Sequence, residues 1–258
     1  MPSYTDAGVV LRTVKLGEAD RIITILTKQH GKVRAVAKGV RRTKSRFGGR
    51  LEPFNRNQFL LFEGRGQLQH INQAETLNAY GASLITNYDA YVAANVIGEA
   101  VDKLLDSMGD EGVQFETHDA SLYYDLLVSA LHALVSEEHE PQVIESSFIL
   151  RMLSMSGWSP RLDTCVVCGR QTQLDFFSIS AGGMMCRSDR LPDAYEISHD
   201  VRTQLYALLH GRWDILDSAK NTQGSSVLFP RTVQIVEEWL QYYVERPVRS
   251  LKLVKSNT

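Results

Sequence analysis

Two groups of residues in this chain of 258 have types and spacings that can do chemistry. The first is the segment KGVRRTKSRFGGR, in which Lys38, Arg41, Arg42, Lys44, Arg46 and Arg50 occur with no acidic residue among them. Six cations on thirteen residues repel one another unless solvent screens them or a polyanion lies between them. Gly48-Gly49 should give the segment a flexible tip rather than a packed one. The pattern reads as a phosphate-binding loop or as a solvated basic loop without a ligand. The second group is cysteine-based. Cys165 and Cys168 followed by Gly169 form half of a zinc knuckle, since two thiolates three residues apart on a tight turn can face one ion. Cys186, after the turn Gly182-Gly183, falls where the second half belongs, and Asp189 stands where a fourth cysteine would. A carboxylate oxygen also ligates Zn²⁺, so Cys165, Cys168, Cys186 and Asp189 are a candidate Cys₃Asp site. The alternative is an eroded site that folds by packing of Phe176, Phe177 and Met184.

Other chemistries find no support. The sequence holds no G-x-x-x-x-G-K-[ST] phosphate loop, no nucleophile triad spacing, and no His-x-Glu pair beside the cysteines that would suit a catalytic zinc. Acid pairs such as Glu137-Glu138 and Glu237-Glu238 fall at adjacent helical positions, which point in different directions and suit a solvated face better than a two-metal nuclease. The expectation is a protein without catalysis.

Elements must position these residues, and the period of the hydrophobic pattern divides the chain. From Ser3 to about Glu75 short β-branched runs alternate with turns. DAGVVLRTVK, RIITILT and a third strand from Lys32 to Lys38 are followed, past the basic segment, by Phe59–Phe62 and Gln67–Ile71 around the turn Glu63-Gly64-Arg65-Gly66. In the third strand Val33, Ala35 and Ala37 alternate with Arg34, Val36 and Lys38, which sends the two cations to the face opposite the core. Five short antiparallel strands with a long loop after the third suit a small closed barrel such as the OB-fold.

From Leu84 the period becomes helical. Ile97, Val101, Leu104, Leu105 and Met108 form one stripe, Tyr123, Leu127, Ala130, Leu131 and Leu134 a second, and Ile144, Phe148, Met152 and Met155 a third, with a polar loop over 108–119 and Pro141 in a first helical turn. These stripes read as core. Ser198 is an expected N-cap for a helix over His199–His210 ended by Gly211, and a further helix is expected over Arg231–Val244, ahead of a basic tail at Arg246–Lys255. The expected organisation is α+β: an OB-fold barrel over 1–80, a helical domain over 81–157 and 197–258, and a zinc-knuckle-like insertion over 158–196.

Charge divides the same way. Residues 1–80 hold 14 Lys and Arg against 6 Asp and Glu, a formal +8, whereas residues 81–258 hold 14 against 24, a formal −10. A basic first third is expected to bind an anion, and the acidic remainder to meet protein. No signal-like or membrane-length apolar run is present, so the expected compartment is the cytosol.

The run GVVLRTVKLGEADRIITILTKQHGKVRAVAKGVRRTKSRFGGRLEPF resembles the N-terminal module of the RecO family of recombination mediators. The order SFILRMLSMSGWSPRLDTCVVCG, cysteine turn, GG, cysteine is similar to that family's helical domain. The resemblance implies a DNA repair factor of the RecF pathway, without enzymatic activity. Such a factor binds and anneals DNA, single- and double-stranded, contacts the tail of the single-stranded-DNA-binding protein, joins RecR and helps load RecA. It implies a DNA face of Arg34 and Lys38 on the third strand with Arg41, Arg42, Lys44, Arg46 and Arg50 in the loop. Phe47 would stack on a base, worth roughly 1–3 kcal/mol, or cap the barrel. Arg151 and Arg161, among Phe148, Leu150, Met152 and Trp158, are candidates to receive the acidic tail. Asp189 departs from the family's fourth cysteine. An RNA-binding OB module in translation or RNA processing is the competing reading, because cations on phosphates do not distinguish the sugars.

Overall fold

A computed structural model describes residues 3–64, 66, 68–110, 117–219, 227–244 and 247–251. Arg65 in the expected hairpin turn, 111–116 of the polar loop, and Arg246 and 252–255 of the basic tail lie outside these. The described chain divides into two compact units, Met1–Glu138 and His139–Leu251.

The first unit opens with five strands, β1 (Ser3–Leu16), β2 (Asp20–Thr27), β3 (Gly31–Ala37), β4 (Arg56–Phe62) and β5 (Gln69–Asn78), closed into a barrel in the order β1-β2-β3-β5-β4. All neighbours are antiparallel except β3 and β5, which run parallel. This is the expected OB-fold. Every strand serves two partners for the sheet to close. The long β1 does so partly at a single residue, pairing Gly8 with both Thr27 and Asn57, and bends at a bulge between Val10 and Arg12. At that crossing a Cβ on Gly8 would stand 2.5 Å from Ile25 Cγ2, so only glycine lets the strands meet. Period-two alternation fills the interior with Val10, Ile23, Ile25, Val33, Ala35, Ala37, Phe59, Leu61 and Ile71. β4 reaches back to Arg56 and β5 on to Asn78, beyond the expected bounds, because their polar ends are held by pairing with each other.

Three helices complete this unit: α1 (Tyr80–Leu84), α2 (Tyr88–Asp110) and α3 (Thr117–Val135). Ile97, Val101, Leu104 and Leu105 of α2 and Tyr123, Leu127, Ala130, Leu131 and Leu134 of α3 are buried, as their spacing requires. Helix α3 packs on β2 and β3.

In the second unit, α4 (Pro141–Met155) starts at its proline, with Ile144, Phe148 and Met152 buried. Met155 is 39% exposed, contrary to the core stripe, because the helix ends there. A small sheet follows, with β6 (Leu174–Ser178) between β7 (Gly183–Cys186) and β8 (Tyr195–Glu196). Helix α5 (His199–His210) has Ser198 accepting a hydrogen bond from Val201 N at 3.2 Å and Gly211 left-handed at φ 62°, the expected cap and stop. After α6 (Trp213–Ala219), which the sequence pattern did not signal, α7 (Pro230–Tyr243) begins at Pro230. Gln204 of α5 ties these pieces together, donating to Val227 O at 2.7 Å and accepting from Phe229 N and Thr232 Oγ1.

The acid pairs need correction. Glu137-Glu138 follow α3 rather than lie on it, and Glu237 on α7 is 9% exposed. Glu145 of α4 is equally hidden, and burial, followed by repulsion from Glu237, raises its carboxyl to about 8.

Candidate nucleic-acid interface and metal centre

The segment joining β3 to β4 is anchored, not loose. Phe47 and Leu51, 2% and 1% exposed, point into the barrel core. Phe47 therefore caps the barrel and has no free face for a base. Successive turns hold the backbone, with Ser45 N to Arg42 O, Arg50 N to Phe47 O and Glu52 N to Gly49 O. Polar clamps fix both ends. Gly39 N donates to Asp20 Oδ1 at 2.7 Å and Arg41 N to Ala19 O at 2.9 Å, while Asn57 Nδ2 donates to Arg50 O at 2.8 Å. The flexible tip expected from Gly48-Gly49 is overruled by the two apolar anchors on either side of it.

With the backbone fixed, the cations project outward. Arg34, Lys38, Arg41, Arg42, Lys44, Arg46 and Arg50 are all exposed. Among the described residues none of the seven pairs with a carboxylate. Arg41 instead donates to the carbonyls of Gly17 and Glu18, Arg50 donates to Arg46 O at 2.9 Å, and the Arg46 guanidinium lies 4.9 Å from the Phe47 ring centre. Elsewhere in the same unit most cations are neutralised, although Lys15 and Arg56 have no carboxylate partner among the described residues. Arg12 meets Asp102 at 2.7 Å, Lys32 meets Asp102 and Asp106, Lys28 meets Asp125 at 3.5 Å, and Arg21 meets Glu52 at 3.0 Å. The unit thus spends its acids on the cations that hold it together and leaves the loop and the outer face of β3 positive.

Sequence reasoning missed a groove beside the loop. It has a volume of about 500 Å³, with Phe47 and Phe59 as its buried floor, Arg46 and Arg50 from the loop, and Gln58, Asn72, Gln73 and Glu75 from β4 and β5. The outward polar alternation of β4 was the available signal.

In the second unit the four knuckle residues converge. The ligand atoms of Cys165, Cys168, Cys186 and Asp189 all lie within 4.8 Å of one another. Cys168 Sγ is 3.8 Å from Cys186 Sγ, and Asp189 Oδ2 is 3.6 Å from Cys165 Sγ and 3.1 Å from Cys186 Sγ. Zn–S bonds of about 2.3 Å and a Zn–O bond of about 2.0 Å at tetrahedral angles place sulfurs about 3.8 Å apart and sulfur about 3.5 Å from oxygen. The donor set therefore fits a tetrahedral ion, and these residues could bind a metal. The backbone builds the cup. Cys165 N bonds Arg170 O at 2.7 Å, Gly169 turns at φ 74°, and Val166 N reaches Met184 O at 2.9 Å. Gly183 passes so close to Arg161 that a Cβ would stand 2.3 Å from its carbonyl oxygen. Burial tends to raise the Cys165 thiol, but backbone N–H groups of Cys168, Cys186 and Val167 bring it down to about 7. The hydrogen bond with the Asp189 carboxylate lifts Cys168 to about 11, and the same thiols hold Asp189 below the usual carboxylate range. Phe176, Phe177 and Met184 are buried beneath the cup, so the packing and the ligand set coexist.

The family model described as Recombination protein O N terminal matches residues 1–80, and that described as Recombination protein O C terminal matches residues 85–252. The chain belongs to the RecO family. A DNA repair protein RecO from Bifidobacterium adolescentis is 51% identical over 98% of this chain and 100% of its own length. The RecO of Streptomyces avermitilis is 40% identical over 99% of this chain and 100% of its own.

In this RecO-family chain Arg151 is half-buried on α4, its Nη1 3.7 Å from where a Cβ of Gly211 would stand. Arg161 is exposed and fastened through its backbone to Gly182 and Met184. Phe148, Leu150 and Met152 are interior, and Trp158 stacks on Tyr243 at 5.0 Å. Among the described residues no helix is long and apolar enough to cross a membrane.

Proposed function

We propose that this chain is a recombination mediator without catalytic activity, which binds single- and double-stranded DNA through the basic loop, anneals complementary strands, and with RecR loads RecA on DNA coated by the single-stranded-DNA-binding protein. The observation that carries this reading is the contrast in charge pairing within the first unit. Among the described residues seven exposed cations stand without carboxylate partners on a backbone anchored chiefly by other residues, while most of the neighbouring cations are neutralised. Such a surface attracts phosphates of any sequence, because phosphates carry no base information. Held on one positive surface, two strands repel each other less, and base pairing supplies the driving force for annealing. Membership of the RecO family of DNA repair proteins favours DNA over RNA. The same reading assigns Zn²⁺ to Cys165, Cys168, Cys186 and Asp189, as a closed structural site without an open position for chemistry, and places the protein in the bacterial cytoplasm at the nucleoid.

Annealing of complementary oligonucleotides, bare and coated with the single-stranded-DNA-binding protein, tests it. The wild type should accelerate annealing in both cases, and Arg41→Ala/Arg42→Ala/Arg46→Ala should lose at least about tenfold of that acceleration. Equal annealing by the variant contradicts the proposal, and faster pairing of RNA strands than of DNA would move it to RNA.

A further inference from the structure

We infer that the groove beside the basic loop is a single-strand subsite in which Gln58 and Gln73, with Asn72 and Glu75, meet the edges of unpaired DNA bases while Arg46 and Arg50 hold the phosphates. The inference rests on the DNA-binding reading above. It assigns to that reading the form of DNA taken and the surface of the barrel that takes it.

Strand register puts the polar side chains together. Gln58 of β4 stands directly opposite Glu75 of β5, and Leu60 stands between Thr5 of β1 and Gln73 of β5. All five line the groove. Inward alternation sends Asn57, Phe59 and Leu61 to the core, so Gln58 and Leu60 face out. The amides of Gln58, Asn72 and Gln73 make no hydrogen bond to another described side chain or backbone group, in contrast to Asn55 and Asn57, whose amides are committed to Gly49 O and Arg50 O. The two kinds of amide have different duties. One kind fixes the loop, and the other is left with its donors and acceptors directed to the groove.

Chemistry divides the groove as a nucleotide is divided. The loop contributes two guanidiniums, which suit phosphate. The strands contribute amides and one carboxylate. An amide pairs with a base edge as donor and acceptor together, and a carboxylate accepts from an exocyclic amine while repelling phosphate. The phosphates therefore lie towards the loop and the bases towards β4 and β5. In a duplex the pairing edges are already used and stacked inward, so these amides have little to gain from it. An unpaired strand can splay its bases onto them. With Phe47 and Phe59 buried as the floor, the bases are read by hydrogen bonds along the walls rather than by stacking on an exposed ring.

The location is set by what is already covered. OB-folds commonly bind oligonucleotides over strands 2 and 3 and the loops that flank them. Here α3 packs on β1, β2 and β3, α2 packs on β1, and the β1–β2 turn is tied to the basic segment by Arg41 on Gly17 and Glu18 and by Gly39 on Asp20. The open groove lies over β4 and β5, with Thr5 at the start of β1.

The test is fluorescence anisotropy with the full chain, a labelled oligonucleotide and the duplex of the same sequence, over a salt series. Gln58→Ala/Gln73→Ala should weaken single-strand binding about tenfold, for two lost hydrogen bonds, with duplex affinity and salt dependence unchanged. Gln58→Met/Gln73→Met, which keeps the side-chain length and removes the amide, should weaken it as much. Wild-type single-strand affinity in either pair, or an equal loss on the duplex, overturns the inference. Arg46→Ala/Arg50→Ala separates the two levels. If the arginine pair binds weakly with a shallower salt dependence while the glutamine pairs behave as wild type, this inference alone fails. If the arginine pair too binds as wild type with an unchanged salt dependence, the DNA-binding reading of the loop fails with it.

Discussion

The basic loop and the cysteine knuckle both gather like charge, and they are built in opposite ways. In the loop, conformation comes chiefly from residues other than the cations, with Arg41 adding a tether to the β1–β2 turn. Phe47 and Leu51 sink into the barrel, Asn55 and Asn57 hold the backbone, and the cations are left over, facing solvent. In the knuckle the groups that gather are the ones that would bind. Three sulfurs and a carboxylate converge on one point, and the turns at Gly169 and Gly182 exist to aim them. A site of the first kind keeps its shape without its ligand. A site of the second kind holds groups that repel when ionised, so its ligand is part of its fold. The comparison therefore predicts opposite results for the two sites: loss of the loop's ligand groups changes affinity alone, and loss of the knuckle's changes stability.

The largest expected effect is at the knuckle. Metal analysis should find one zinc per chain, and chelation or Cys186→Ser should lower the unfolding temperature of the His139–Leu251 unit by roughly 10 °C, while DNA affinity through the barrel persists. A metal-free protein whose melting ignores chelators would break the comparison on that side. Next is the loop's apolar anchor. Phe47→Ala empties a site in the barrel core and should cost about 3–5 kcal/mol in chemical denaturation, an effect that neutral replacement of Arg41, Arg42 or Arg46 should not show. If Phe47→Ala instead proves harmless to stability and selectively weakens single-strand binding, the ring stacks on a base and the loop is not prebuilt.

Much of this was legible in the residues themselves. Alternation of Val33, Ala35 and Ala37 with Arg34 and Lys38 located β3 and its outer face, and the capped pattern from Ser198 to Gly211 located α5 to the residue. The C-x-x-C spacing and the glycine turns placed Asp189 at the fourth corner of the cup. What was hidden depended on partners distant in sequence. Gly48-Gly49 reads locally as loose, and only the barrel interior that receives Phe47 and Leu51 makes it firm. The polar stretch Gln69–Asn78 carries too little apolar alternation to mark a strand over its full length; pairing with β4 defines it, and with it the groove. Glu237 reads as solvated until α7 turns it inward, where it contributes to the raised carboxyl of Glu145.

The claim that the loop is a phosphate site on an independent scaffold is tested most directly by the salt dependence of single-strand binding. Titrating a fluorescent oligonucleotide across a salt series, Arg41→Ala/Arg42→Ala/Arg46→Ala should reduce the log–log slope by about 2, near 0.7 for each phosphate no longer neutralised, with an unfolding temperature equal to that of the wild type. An unchanged slope and affinity would contradict the account and leave the cations as a solvated surface; a reduced slope accompanied by a large loss of stability would contradict the independence of the scaffold.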